Sequence, residues 1–181
     1  MHPLNLDKTP PGEYRICMVD KNGETPPSRR ASGPKVTVSN RQKTLDVSES
    51  RLRRLVEFVS ASERRDIESV DVAIVDADEI ESVNRRYLNH PGPTDVLSFD
   101  LSDEGARAIS AQIIVCSEVA TTEAPHHGLS AEDELTLYVI HGLLHLVGYD
   151  DAEKEQAERM MTRQEQILAE FNRTRKLTDK I

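Results

Sequence analysis

The stretch HGLLHLVGYDD, residues 141–151, decides how the rest of the chain is read. It closes a run from Leu135 to Val147, LTLYVIHGLLHLV, in which nearly every residue is apolar. A helix that is apolar all round is buried on most sides. Ser130 stands ahead of the run with Asp133 three residues on, the spacing of a capping box. Gly148 supplies a left-handed stop after it. The central helix of the domain is therefore expected here. His141 and His145 are four apart and stack on one face of that helix. Asp151 follows the stop by three residues, close enough for its side chain to fold back toward the same face.

Two readings of the histidine pair are open at this point. As core residues, they leave ring nitrogens that need partners in a dry place, at roughly 1–3 kcal/mol for each one unsatisfied. As ligands, two imidazoles from a rigid helix and one carboxylate from the next turn leave a fourth position free, the pattern of a catalytic zinc site. Such a site lowers the pKa of bound water to about 7 and polarises a carbonyl or phosphoryl oxygen. Gly142 supports the second reading, since glycine inside a helix costs about 1 kcal/mol relative to alanine. Its use implies the close approach of another element, or room for a substrate. The zincin peptidase pattern H-E-x-x-H-x-x-G-x-x-H has the same spacing, but Gly142 occupies the place of its glutamate general base.

Working outward, KVTVSN (35–40) reads as a strand, and residues 48–63 as a helix capped by Ser48 with Leu52, Leu55, Val56 and Val59 on one face. In SVDVAIVD (69–76), Val70, Val72 and Ile74 alternate as in a half-buried strand. Residues 76–88 read as a helix with acids at its start and Arg85-Arg86 near its end. Strands are expected at 94–101 and 111–118, a helix at about 117–126, and a closing helix at 155–168. Interleaved strands and helices give an α+β or α/β domain with about four strands. Leu143, Leu144, Met160, Met161, Ile167, Leu168 and Phe171 are expected in its core. Residues 1–33 form a separate Pro-rich extension, expected to be disordered, with possible edge-strand character only at Arg15–Val19.

The net charge of −9 is unevenly spread. Residues 1–65 carry 13 lysines and arginines against eight acids, and residues 66–181 carry 10 against 24. That argues against general polyanion binding, which depends on neutralising phosphates. Arg51, Arg53, Arg54, Arg64 and Arg65 could still form one cationic face, or equally a solvated helix surface. His126 and His127 before Gly128 read as a polar loop, or as further metal ligands. Cys17 and Cys116 lie far apart and make no disulfide framework, so a cytoplasmic, reducing setting is expected. The N-terminal residues lack the features of a secretory signal, and no apolar run reaches the roughly 18 residues of a membrane span.

The chain resembles the bacterial YbeY family, whose signature is written H-G-x-L-H-L-x-G-Y-D-H. Residues 141–151 match every specified position but the last. NRRYLNHPGPTDVLSF (84–99) is similar to the family's LNxxYRxxDxPTDVLSF. IIVCSEVA (113–120) and EQAERMMTRQEQIL (155–168) resemble its fourth strand and C-terminal helix. The resemblance runs from about Val36 to Phe171, within an expected domain of residues 34–175.

It implies an α+β fold, a four-stranded mixed sheet with about five helices and a central, zincin-like metal-bearing helix. It also implies a metal-dependent endoribonuclease acting on single-stranded rRNA in ribosome biogenesis, with the ribosome or its precursors as partner. One zinc ion would be held by His141, His145 and Asp151. The chain departs from the family at three places. Asp151 replaces a histidine, which keeps a zinc donor but makes the ion less Lewis-acidic. Leu88 stands where the family has an arginine thought to matter for cleavage, with Arg85 and Arg86 as substitutes one turn earlier. Ala111-Gln112 replaces the family's Gly-Asp before the fourth strand. A catalytically weak ribosome-assembly factor with a structural metal, and more remotely a zinc peptidase, are the competing functions.

Overall fold

Runs of Val and Ile broken by short polar turns form four strands, and the capped segments between them form helices. A computed structural model describes residues 33–178 of this arrangement. The Pro-rich head, with Cys17 and the Arg15–Val19 segment, lies outside the described residues. The strands are β1 (Lys35–Asn40), β2 (Ile67–Val75), β3 (Val96–Asp100) and β4 (Ile109–Cys116). The helices are α1 (Glu49–Glu63), α2 (Ala77–Leu88), α3 (Ser117–His127), α4 (Ala131–Leu146) and α5 (Lys154–Thr178). The sheet order is β1-β2-β4-β3, with β1, β2 and β4 parallel and β3 antiparallel to β4. The expected α+β class with a four-stranded mixed sheet and five helices is the one found. No helix among the described residues is long and apolar enough to cross a membrane.

The two faces of the sheet are covered differently. Val70, Val72, Ile74, Ile113 and Val115 join α1, α4 and α5 in the larger core. Ala73, Val75, Ile114 and Cys116 face the other way and pack with Leu97 and with Ile80 of α2. The second half of β2 is thus buried on both faces rather than half-buried, because α2 covers the side left open in the sequence pattern.

Helix α4 lies against the sheet at Gly142. A Cβ there would stand 3.3 Å from both Ile113 Cγ2 and Val96 Cγ2, and 3.5 Å from Ser98 Cβ. The glycine therefore marks a close approach of helix to sheet.

At the other end of α4, Ser130 caps the helix. Its hydroxyl accepts the Asp133 N–H at 3.1 Å and donates to Asp133 Oδ2 at 2.9 Å. Arg51 completes this corner and corrects an expectation. Only 3% of its side chain is exposed, so it forms no part of a cationic face. It donates to Asp133 at 2.6 Å and to Asn172 at 3.1 Å, pairs with Glu132 at 2.9 Å, and lies 5.8 Å from the centre of the Phe171 ring. Arg53 donates to the Val36 carbonyl and pairs with Glu49. Arg54, Arg64 and Arg65 stay exposed.

Met161 also departs from expectation, being 56% exposed. Met160, Ile167, Leu168 and Phe171 form the buried stripe of α5. One residue along a helix is a rotation of about 100°, which turns Met161 off that stripe.

Burial alone would raise the pKa of Asp133. Hydrogen bonds from Arg51, Ser130 and Asn172 more than offset this and hold its carboxyl below the usual range. A depressed carboxyl stabilises the fold above its unfolded pKa, about 3.9, and that stability is lost as pH falls through the folded value. Arg51→Ala is expected to lower the free energy of unfolding by about 3 kcal/mol at neutral pH, by breaking a buried ion pair. It should also flatten the decline in stability below about pH 4, measured by urea unfolding across the acid range.

Candidate metal centre

The stacking of residues four apart on α4 puts the rings of His141 and His145 with centroids 4.7 Å apart and Nε2 atoms 3.0 Å apart. The helix ends at Val147, and the Gly148 φ of +105° turns the chain sharply. The N–H groups of Gly148 and Tyr149 return to the carbonyls of His145 and Leu144, each at 3.0 Å. Asp150 then orders the next residues, its Oδ1 accepting the N–H groups of Asp151 at 2.8 Å and Ala152 at 3.2 Å. Asp151 Oδ2 comes to 3.7 Å from both histidine Nε2 atoms. The ligand atoms of His141, His145 and Asp151 all lie within 4.8 Å of one another, a group that can hold a metal ion.

The outer ring nitrogens decide what the inner ones are. His145 Nδ1 lies 3.2 Å from the Tyr149 carbonyl oxygen, which can only accept. The proton is therefore on Nδ1, and Nε2 carries a lone pair. His141 Nδ1 faces the Gln164 side-chain amide at 3.1 Å, and with Oε1 turned toward the ring the same tautomer is favoured. Two Nε2 atoms 3.0 Å apart beside a carboxylate suit a shared cation, a metal ion between two neutral rings or a proton where one ring is charged. Donors held 2.0–2.2 Å from a tetrahedral zinc are about 3.3–3.6 Å apart. The separations found, 3.0 and 3.7 Å, straddle that range. The donor set fits such an ion.

The support extends outward. The Tyr149 hydroxyl donates to Glu63 Oε2 at 3.1 Å, and Glu63 Oε1 receives Arg163 Nε at 2.8 Å and Nη2 at 2.7 Å. The end of α1, the turn after α4 and the middle of α5 are thereby tied at one carboxylate. Burial, with the Glu63 charge behind it, pushes the Tyr149 phenol up, so it stays a neutral donor. The histidines are about a quarter to a third exposed and Asp151 about half exposed, so the group opens to solvent on one side.

The other residues singled out in the sequence lie apart from this group. Arg85 pairs with Glu81, and Arg86 lies 5.6 Å from the centre of the Tyr87 ring. The cavity they line is walled by Asp78, Glu81 and Ser82, and none of the three ligand residues borders it. His126 and His127 form the last turn of α3, where they meet Glu123 at 3.3 Å and the fully buried Glu134 at 2.9 Å. Sequence reasoning missed Gln164, Glu63 and Arg163. Gln164 had a signal: it is the polar interruption in the stripe of Met160, Ile167, Leu168 and Phe171.

A family model described as Endoribonuclease YbeY matches residues 37–172. Curated proteins named Endoribonuclease YbeY are similar over most of the chain. That of Acidothermus cellulolyticus is 32% identical over 146 residues, covering 74% of this chain and 89% of its own. That of Thermobifida fusca is 35% identical over 135 residues, covering 70% and 87%. The solution structure of TM1509 from Thermotoga maritima superposes with a TM-score of 0.54 at 28% identity, covering 81% of this chain and 95% of that one.

Elemental analysis of the full-length protein is expected to find about one equivalent of divalent metal, and a clear loss in Asp151→Ala. Gln164→Leu, which removes the partner of the His141 Nδ1–H, should weaken metal affinity about tenfold in a competition titration. Unchanged content in Asp151→Ala would move the third ligand elsewhere.

Proposed function

The chain belongs to the Endoribonuclease YbeY family, and we propose that it cleaves single-stranded rRNA during ribosome biogenesis, using one zinc ion held by His141, His145 and Asp151. The observation that supports the metal assignment is the convergence of the two inward Nε2 atoms and the Asp151 carboxylate, with an acceptor oxygen behind each ring. An ion in that position supplies Lewis acidity at a phosphoryl oxygen.

The chain's own residues do the positioning. The Tyr149 carbonyl and the Gln164 amide oxygen accept from the outer Nδ1–H groups in this reading, which turns both Nε2 atoms inward, fixes the ring planes and raises their basicity as ligands. Asp150 locks the turn that delivers Asp151. The partly exposed rim leaves a path for a polymer that could not enter a closed pocket. Residues 34–175 make up the catalytic domain in this reading, which encloses the matched span 37–172. The cytoplasm and the ribosome or its precursors are the setting and partner.

The test is to incubate the purified protein with single-stranded rRNA fragments, with and without a chelator. Cleavage is expected that the chelator abolishes and added zinc restores, and Asp151→Ala should lower the rate by at least about a hundredfold. Binding without cleavage would hand the function to a non-enzymatic assembly factor, for which the leucine at position 88 in place of the family's arginine is the ground. Digestion of casein would revive the peptidase reading.

A further inference from the structure

An RNA strand carries one negative charge per linkage, and the ligand group meets it with a carboxylate in the acidic part of the chain. Residues 66–181 hold 24 acids against 10 lysines and arginines. The ion proposed for the group would answer the charge at the centre itself, and a protein cation beside it would be needed to seat the flanking phosphates. Several of the described cations are committed elsewhere. Arg51 is buried in its clamp, and Arg53, Arg85, Lys154 and Arg163 pair with carboxylates. Arg86 is stacked on Tyr87 in a cavity it shares with two acids.

Arg159 differs from these. It is exposed in the second turn of α5, and among the described residues its guanidinium makes no ion pair or hydrogen bond. It borders a cleft of about 400 Å³ together with Val147, Gly148, Tyr149, Asp150 and Gln156. That volume falls in the roughly 300–1,000 Å³ range of small-molecule sites and is enough for a nucleotide unit. The cleft is built on the turn that makes the ligand group. Tyr149 and Asp150 border it, and the same two residues hold His145 and order Asp151. The Asp150 charge is partly answered by the two backbone N–H groups on its Oδ1.

We propose that this cleft seats the phosphodiester backbone of the RNA strand beside the ligand group, with the Arg159 guanidinium pairing a phosphate and the Gln156 amide donating to a neighbouring oxygen. The planar fork of arginine suits two phosphate oxygens at once. Arg159 is thus a substrate-positioning residue, and the proposal rests on the reading that single-stranded RNA is the substrate.

The test is fluorescence anisotropy of a 2′-O-methyl oligouridylate, which resists cleavage, titrated with the full-length protein at several salt concentrations. Metal content is measured on each sample. Arg159→Ala is expected to bind about tenfold more weakly, with a salt slope shallower by about 0.7, the value of one lost phosphate contact on a single strand. Its metal content should be unchanged. Arg159→Lys should keep the slope and fall between the two in affinity, because the charge remains and the fork is lost. If wild type binds and Arg159→Ala matches it in affinity and slope, the cleft is not the backbone seat, while the RNA reading stands. If wild type does not bind the strand, that reading falls and the cleft with it. Loss of metal in Arg159→Ala would also overturn the proposal, by assigning the residue to support of the ion.

Discussion

A carbonyl oxygen can accept a hydrogen bond but never donate one, and at Tyr149 that constraint organises the centre. It calls for a proton on His145 Nδ1, which turns Nε2 inward to face the Nε2 of His141. The Tyr149 carbonyl is where it is because the turn after α4 is pinned on every side. Gly148 bends it, backbone bonds tie it to the end of the helix, and the Tyr149 hydroxyl anchors it to Glu63. Each of these contacts is ordinary. Together they bring two imidazoles and a carboxylate to one point, where a cation can be shared.

Most of this could be read from the residues. The histidine spacing on one helical face, the glycine stop and the aspartate beyond it follow from local rules that need no tertiary knowledge. The same holds for the strands, since alternating valines and short polar turns state their own period, and β1 was legible residue for residue. Ser48 and Ser130 announced two helix starts, and both side chains accept a bond from the first turn, as Asp76 also does for α2.

What escaped depends on partners far away in the chain. Arg51 sits among other arginines on α1 and looks solvated, yet Asp133 and Asn172, 82 and 121 residues further on, draw it into the interior. Glu63 and Arg163 are separated by 100 residues and are unremarkable in either local context. The double burial of β2 could not be seen because nothing in its own pattern tells which side α2 will take. Met161 shows the opposite limit, where hydrophobicity was legible but the phase of a helix had to be right to within one residue.

The hollow at Gly142 ties two properties that are usually selected apart. The helix rides so low on Ile113 and Val96 there that a Cβ would press on their methyls at 3.3 Å, and either those side chains give by a few tenths of an ångström or the rod that carries both imidazoles rises. The neighbouring turn, held by its own anchors to α1 and α5, would not rise with it. Folding and cation capture thus share a single point of failure, and drift at this position has little room to trade one against the other.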